Sequence, residues 1–295
     1  MGVAAELQEL AASYTNVTWI DEIPWHLTGG ILSPLAMPHT TKDIDRKKVR
    51  KALAASKGML ARWTDDWNGG QSEWWWICCD DREYDVERIA SAHARRDIRK
   101  GLRSCSVRRI AREDFADLSY EIYVREQETY GLLGTGIPTR EQYQNEITLR
   151  SKYRGVEYWG AFVDDRLAAF TRCTVVNDVA QISNAKSDVE LHRFCPNNAL
   201  FYTITRHYLR ERGLLYVTNG SRTLLHPTTI NDFLMRMGFR VLFCRLNVEL
   251  SLLAKAVSLS KVGRWGRSLG IPTVAPSRWR FIEGFQKIVE IARSF

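Results

Sequence analysis

Polar side chains that can move a proton or polarise a carbonyl group lie at two places in the second half of this chain. The first is the end of an apolar run and the loop after it, which contain Asn219, Ser221, Arg222 and, in the segment SRTLLHP, His226. A histidine takes up and releases protons near neutral pH, and amide and guanidinium groups donate hydrogen bonds to oxygen. A lone loop histidine is also common as a surface residue, and Asn219-Gly220 favours a turn over a contact with an oxyanion.

A second polar group lies at the exit of the strand-like run 179–189. Its members are Lys186, Asp188 and Glu190, which line the other wall of a cleft or form a solvated edge. No Ser–His–Asp and no metal-ligand spacing stands out, so a hydrolase and a metalloenzyme are poorly supported and no bound metal is expected. We predict three catalytic candidates, His226, Glu190 and Asn219, and three substrate-binding candidates, Ser221, Arg222 and Lys186.

These residues are positioned by a regular series of predicted elements that begins at Cys105. Hydrophobic periodicity predicts a strand, two helices, three antiparallel strands, then helix, strand, helix and strand. Thr139 is a typical cap for the second helix, and Pro196 suits the first turn of the third. The predicted strands are 105–111, 156–164, 166–176, 179–189, 214–219 and 239–250. The predicted helices are 112–131, 139–153, 196–213 and 228–237.

The pattern before Cys105 is less regular. Residues 1–70 are rich in Trp with Pro and Gly breaks, which predicts irregular structure around one amphipathic helix over 45–63. A buried strand over 74–81 and a helix over 84–104 follow. The first residues, MGVAAELQELAASYT, have a helical pattern and lack the order of a secretory signal. No internal repeat is visible.

The composition is that of a soluble globular protein. The chain has 295 residues, of which 45% are hydrophobic and 26% charged. No run approaches twenty apolar residues, so a membrane span is not expected. The six cysteines include no CxxC pair, which favours free buried thiols in a cytoplasmic protein over disulfides or zinc.

Positive charge is concentrated in two segments. The formal net charge is +8, and residues 251–295 contribute most of the excess. A second basic cluster consists of Arg95, Arg96, Arg99, Lys100, Arg103, Arg108, Arg109 and Arg112. Such segments bind RNA, phosphorylated ligands or anionic lipid, or they form a solvated face. The apolar and basic tail therefore has two interpretations, a peripheral membrane contact at the inner face and a helix packed on the domain.

The order of elements from 105 to 250 resembles the fold of GNAT-superfamily N-acyltransferases. Met237-Gly238-Phe239 before a strand resembles a frequent motif of that superfamily. Upstream, ARRDIRKGLRSCSV at 94–107 is similar to the segment R-x-x-I-R-K-A/G that precedes the corresponding lobe of Fem-type aminoacyl transferases and related envelope acyltransferases. The resemblance covers about half of the chain and implies a mixed, mostly antiparallel sheet flanked by helices.

The resemblance also implies a donor site, from which this chain departs at two points. GNAT enzymes that use acetyl-CoA have R/Q-x-x-G-x-G/A before a helix, where glycine backbone N–H groups approach the pyrophosphate. The matching residues here are Arg193, Asn197 and Asn198, the candidates for binding acetyl-CoA or another acyl-CoA. Pro196 and Asn198 replace the two glycines, and Leu234 replaces the Tyr that often protonates the leaving thiolate.

We therefore expect an α+β protein with three parts. These are a Trp-rich N-terminal region at 1–93, a GNAT-like domain at 94–250 and a basic helical tail at 251–295. The expected function is transfer of an acetyl, longer acyl or aminoacyl group from a thioester or ester to an amine of a small-molecule or glycan-precursor acceptor. Two alternatives stay open: a tRNA-dependent aminoacyl transferase, whose tRNA would bind the Arg95–Arg112 cluster, and a GNAT-like binding module without catalysis.

Overall fold

The computed structural model describes residues 3–41, 43–70, 72–130, 137–222, 230–259 and 287–289. Packing divides the described residues into two compact units. Unit 1 contains those up to Trp75 and those from Phe243 onwards, and unit 2 contains those from Trp76 to Leu242. The domain boundaries at 94 and 250 that the sequence predicts remain a prediction.

Unit 1 contains a five-stranded sheet. Its elements in chain order are α1 (Val3–Ala12), β1 (Val17–Ile20), β2 (Ile23–Thr28), β3 (Ile31–Pro34), α2 (Arg46–Ala55) and β4 (Leu60–Asp65). The strands β1, β2 and β3 are antiparallel, whereas β4 follows α2 and pairs parallel to β3. Buried Trp25, Leu32, Val49, Leu53 and Trp63 form the core between the sheet and α2. The described residues of 1–70 therefore form a regular sheet with helices, and the prediction of irregular structure is wrong for them.

Unit 2 contains a seven-stranded sheet. The first elements are β5 (Trp75–Cys79), α3 (Ala92–Ser104), β6 (Ser106–Ile110), α4 (Arg112–Tyr130) and α5 (Arg140–Arg150). A meander follows, with β7 (Val156–Val163), β8 (Arg166–Val176) and β9 (Val179–Ser187). The last elements are α6 (Pro196–Arg206), β10 (Tyr216–Ser221), α7 (Ile230–Arg236) and β11 (Arg240–Phe243). The strand order is β11-β5-β10-β9-β8-β7-β6, and the predicted meander is confirmed.

Helices cover both faces of the unit 2 sheet. Phe115 of α4 stacks on Tyr158 of β7 at a centroid distance of 4.0 Å. The next residue of the strand, Trp159, has its ring 6.4 Å from that of Tyr208, in the turn that continues α6. Because successive strand residues point to opposite faces, α4 and α6 lie on opposite sides of the sheet.

Local chemistry explains why these elements begin and end where they do. Asp164 and Asp165 have φ of 47° and 62°, the left-handed conformations that a two-residue hairpin turn requires. Thr139 caps α5 and forms a reciprocal capping box with Gln142. Pro196 stands in the first turn of α6. Both cap predictions are confirmed.

Both sheets are completed by a strand from elsewhere in the chain. After β4 the chain leaves unit 1 and forms β5, which pairs antiparallel with β10 of unit 2. After β11 it returns as β12 (Arg245–Leu250), which pairs antiparallel with β4. Each unit thus contains the same series of elements. Three antiparallel strands are followed by a helix and by a strand parallel to the third, and a strand from elsewhere in the chain pairs antiparallel with that parallel strand. This topological repeat was not visible in the sequence.

The structure corrects three predicted elements. The helix predicted over 45–63 ends at Ala55, and its second half is strand β4. The helix predicted over 84–104 begins only at Ala92, because Asp85 caps a short 3-10 turn before it. The strand predicted over 239–250 is two strands in two sheets, which separate at Cys244.

The cysteines are all free, and five of the six are buried. Burial raises the pKa of Cys78 and of Cys79 to about 12, so both are thiols at neutral pH. This agrees with the expectation of free buried thiols.

Helices α3 and α6 pack closely at Gly101 of α3. A Cβ at this residue would lie 2.6 Å from the backbone oxygen of Cys195 and 3.0 Å from Cβ of Ala199. A Gly→Ala change inside a helix otherwise stabilises a protein by about 0.5–1 kcal/mol. The backbone at Cys195 can move to make room for a methyl group only at a large cost in free energy. We therefore expect Gly101→Ala to lower the free energy of unfolding by about 1–3 kcal/mol in urea denaturation. The exposed neighbour variant Arg103→Ala should change it by less than about 0.5 kcal/mol. A stabilised Gly101→Ala protein would contradict this packing.

Candidate functional site

The centre of the candidate site is a split between two parallel strands of unit 2. Strands β9 and β10 are paired at only three positions, the last of which joins Gln181 to Thr218. Beyond it β9 continues to Ser187 along β8, while β10 follows β5. Beyond Gln181 and Thr218, the backbone N–H and C=O groups on the facing edges of the two strands are therefore not paired with each other.

A β-bulge at Asn219 shapes the β10 side of this split. The register with β5 shifts between Thr218 and Gly220, and the Gly220 N–H is bonded to the Thr218 hydroxyl at 3.0 Å. Gly220 has φ of 95°, which explains a glycine at this place. Asn219-Gly220 is thus part of a strand, and the turn that the sequence favours is not formed. Ser221 ends the strand, Arg222 follows it, and His226 lies outside the described residues.

One face of β9 presents a serine–histidine pair. The Oγ of Ser187 lies 2.8 Å from Nε2 of His192, and Nδ2 of Asn197 donates to the same Oγ at 3.0 Å. Because the Asn197 amide nitrogen can only donate, the Ser187 hydroxyl proton is directed towards His192 when Nε2 is unprotonated. Ser187 is buried and His192 is exposed, so the pair links the interior end of β9 to solvent.

Sequence reasoning missed this pair. Ser187 and His192 are five residues apart, a spacing that belongs to no regular element. The contact forms because a 3-10 turn, Val189–Phe194, follows the strand and folds the chain back. The sequence carried one sign of this contact, the short segment between the end of a predicted strand and a helix that begins with proline.

The residues predicted to bind an acyl-CoA lie together at the start of α6 with different partners. The Arg193 guanidinium lies 4.8 Å from the centroid of the Phe194 ring. Asn197 bonds Ser187, and Nδ2 of Asn198 lies 3.7 Å from Sδ of Met237. Cys195 has a left-handed φ of 57°, and Pro196 after it has no N–H. These residues do not form the glycine-lined cradle that a CoA pyrophosphate occupies.

The opposite face of β9 presents a cluster of ionisable side chains, which we call the α4–α5 polar cluster. It consists of Tyr123 and Glu126 of α4, Glu146 of α5, Arg172 of β8 and Ser183 and Lys186 of β9. Lys186 pairs with Glu126 and lies 5.6 Å from the Tyr123 ring centroid. Arg172 pairs with Glu146 at 3.3 Å and contacts the Ser183 hydroxyl at 3.4 Å. Burial, then the charges of Glu146 and Glu126, raise the pKa of Tyr123.

The Lys186–Glu126 pair is the most enclosed ion pair of this cluster. The Lys186 side chain is 11% exposed and that of Glu126 17%. At this depth charges interact more strongly than at the surface, and either residue is a candidate for proton transfer. Of the cluster, only Lys186 was predicted from the sequence, because Glu126 reaches it from a helix 60 residues away.

Glu190 lies outside both of these groups. Its carboxylate is 68% exposed and pairs at 2.7 Å with Arg166, which also binds buried Asp188 at 2.5 Å. Asp188 in turn accepts the Glu190 N–H at 3.1 Å and starts the 3-10 turn. Arg166 and Asp188 thus fix the chain that leaves β9.

Most residues of the basic cluster predicted near α3 have ion-pair or hydrogen-bond partners within the protein. Arg99 pairs with Glu87, Arg109 with Glu157 and Arg108 with Asp165. Arg95 and Arg112 donate to backbone carbonyl groups. Within the described parts of the chain, Lys100 and Arg103 have no polar partner, so they are the residues of this cluster left for an external anion.

Two further properties concern the described residues alone. Among them, no group of three or more His, Cys, Asp or Glu side chains is placed to bind a metal ion. No helix in the described ranges combines the length and the apolar character needed to cross a bilayer. Of the basic tail, only α8 (Leu252–Leu259) and residues 287–289 are described.

Comparisons with known proteins place this architecture. No protein-family profile matches the sequence, and no curated protein matches it. Among solved structures, the chain is similar to the DUF2156 C-terminal domain of a proposed lysylphosphatidylglycerol synthetase from Agrobacterium fabrum, with 12% identity and a TM-score of 0.58 over 88% of this chain and 96% of that one. It is also similar to L-PGS from Bacillus licheniformis, with 12% identity and a TM-score of 0.53 over 87% and 91%.

A third similar structure is that of FemX, with 10% identity and a TM-score of 0.52 over 74% of this chain and 81% of that one. At such identities the likeness is one of fold. The chain has a GNAT-like α+β fold close to that of Fem-type transferases, with mostly antiparallel sheets flanked by helices, as the sequence predicts.

Proposed function

We propose that this protein is an acyltransferase that moves an acyl or aminoacyl group from a thioester or ester to an amine, with the donor held in the β9–β10 split. The observation on which this depends is the split, which leaves backbone hydrogen-bonding groups of β9 unpaired by β10. The fold supports the same conclusion only by analogy. The acceptor that fits this chemistry is a small amine, such as an amino sugar, an amino acid or an envelope precursor.

In this proposal the donor carbonyl accepts a hydrogen bond from an N–H group of β9 that faces the split. Such a fixed donor stabilises negative charge as the amine attacks the carbonyl carbon. The C–N bond forms and the C–S or C–O bond breaks. The amine must lose a proton, and the leaving group must gain one, so the reaction needs a proton acceptor and a proton donor.

The two faces of β9 suit these two tasks. Glu126, held by Lys186, takes the proton of the amine on the side of the α4–α5 polar cluster. Ser187, hydrogen-bonded to His192 and Asn197, gives a proton to the leaving group and is reprotonated through exposed His192. His226, Glu190 and Asn219 stay alternative candidates for proton transfer and carbonyl contact, with Ser221 and Arg222 beside the acceptor.

Donor identity follows from the start of α6. Because Pro196 lacks an N–H and Asn197 is bonded to Ser187, the α6 start favours an ester donor such as aminoacyl-tRNA over acyl-CoA. Lys100 and Arg103 support the same choice through contact with an RNA backbone. We place the reaction in the cytoplasm or at the inner face of the membrane.

Titration calorimetry with acetyl-CoA, free CoA and aminoacyl-tRNA tests the donor. We expect aminoacyl-tRNA to bind with an affinity that falls steeply as salt rises, and acetyl-CoA to bind at least tenfold more weakly. Lys100→Ala/Arg103→Ala should reduce the salt dependence, whereas the control Lys57→Ala should leave it unchanged. Micromolar binding of acetyl-CoA would reverse the donor assignment, and no binding of either would favour a non-catalytic module.

Glu126→Gln tests the proton acceptor. The amide keeps the shape of the side chain but cannot take a proton, so we expect kcat for amine acylation to fall by about 10²–10⁴-fold. The matched control is Glu128→Gln, an exposed carboxylate on the same helix, which should retain the rate within about twofold. Full activity of Glu126→Gln, measured with the same donor and acceptor, would exclude this role.

Ser187→Ala tests the proton donor through the leaving group. We expect transfer from an alkyl ester or alkyl thioester to slow by about 10²-fold. Transfer from a p-nitrophenyl ester should be affected much less, because that leaving group departs without protonation. Ser106→Ala, an exposed serine on β6, serves as the control. Equal slowing with both donors would assign Ser187 a structural role.

A further inference from the structure

Unit 1 contains a strand split that matches the split in unit 2. Strands β3 and β4 are parallel and pair at two positions only, Ile31 with Leu60 and Leu32 with Ala61. Beyond these, β3 pairs with β2 and β4 pairs with β12. Arg62 is the first residue of β4 past the separation, the place that Asn219 occupies on β10. The topological repeat therefore puts an arginine where the other unit has its proposed donor slot.

Arg62 differs from the other arginines near these strands because no described residue serves as its counter-ion. On the other face, Arg46 and Arg50 pair with Glu249 at 3.3 Å and 2.9 Å, and Arg245 pairs with Asp65 at 2.7 Å. For Arg62, no carboxylate and no carbonyl group within the described ranges accepts a hydrogen bond. Its guanidinium lies 5.9 Å from the centroid of the Trp74 ring. Burial lowers the pKa of Arg62.

The surroundings of Arg62 are fixed by hydrogen bonds of their own. Trp74 is 2% exposed, and its Nε1 donates to Oγ1 of Thr64 at 3.2 Å. The backbone oxygen of Thr64 accepts the Thr41 hydroxyl at 2.8 Å. Thr64 lies two residues after Arg62, so both side chains project from the same face of β4. The guanidinium is therefore set against a rigid aromatic surface.

Burial removes part of the water around the Arg62 guanidinium, and no acceptor among the described residues replaces that water, which costs free energy. An oxyanion removes that cost. Carboxylates and phosphates accept two parallel N–H bonds from arginine, and an aromatic face beneath the guanidinium leaves its edges free to make them. The burial that penalises the unpaired guanidinium strengthens its interaction with a bound anion.

We propose that the split in the unit 1 sheet is an anion-binding site in which Arg62, set against Trp74, takes the phosphate or carboxylate group of a small molecule. This site is separate from the acyl-donor slot of unit 2 and does not rest on the function proposed for it. The two sources of the oxyanion are distinguished by experiment.

Thermal unfolding of the full chain with added anions tests the site. The probes are phosphate and pyrophosphate in one arm, and acetate and citrate in the other, against chloride at equal ionic strength. We expect the anions of one arm to raise the Tm towards a plateau, by about 3 °C when the anion concentration is tenfold the Kd. A response in the phosphate arm identifies a phosphorylated ligand, and one in the carboxylate arm a carboxylic acid.

Variants of Arg62 separate specific binding from general salt effects. Arg62→Met should leave the Tm in chloride equal to or above that of the wild type, because a poorly compensated charge is removed, and should abolish the anion response. Arg62→Lys keeps the charge without the two-pronged geometry and should weaken the anion at least tenfold. Arg245→Met, which breaks the pair with Asp65, should keep the full response. No saturable response to any anion, or an equal response in Arg62→Met or Arg62→Lys, would overturn the proposal.

Discussion

The structure of unit 2 depends on the backbone hydrogen bonds along the edge of β10 that faces β5. A strand can leave its neighbour within a sheet only if its other edge stays paired, since unpaired and buried N–H and C=O groups cost several kcal/mol. Strand β5 supplies that pairing along β10, even across the bulge at Asn219. With β10 secured, β9 and β10 can diverge after Gln181 and expose backbone donors to a ligand.

The alternation of side chains along β9 converts this split into a two-sided site. Lys186 and Ser187 are consecutive, so one meets the ionisable residues of α4 and the other meets the residues that begin α6. A single-residue shift in register would exchange the two faces and bring a lysine to the serine position. The bulge between β8 and β9, near left-handed Asn184, helps to fix that register. The two proton transfers that we propose, one on each face of β9, thus depend on strand geometry.

Sequence reasoning recovered the elements whose order and caps are local. The meander, the Thr139 cap and the start of α6 at Pro196 all follow from patterns within a few residues. It failed where pairing is distant. Nothing in RVLFCRLNVEL shows that the strand must break at Cys244, because neither half contains Gly or Pro and the partners lie far along the chain. Glu126 was missed for the same reason, because its partner Lys186 is 60 residues away. His192 was missed because a 3-10 turn, and not a regular spacing, brings it back to Ser187.

The pairing of β4 with the distant strand β12 has a consequence for biosynthesis. Asp65 of β4 binds Arg245 of β12 across a separation of 180 residues. At a synthesis rate of about 5–20 residues per second, β4 waits on the order of 10–40 seconds for its partner to be made. Throughout that interval β4 has an unpaired edge beside the apolar surface of Trp63, the kind of edge that recruits other chains. The nascent protein is therefore most exposed to aggregation while its C-terminal third is still on the ribosome, and chaperone binding in that period would protect the first unit rather than the last.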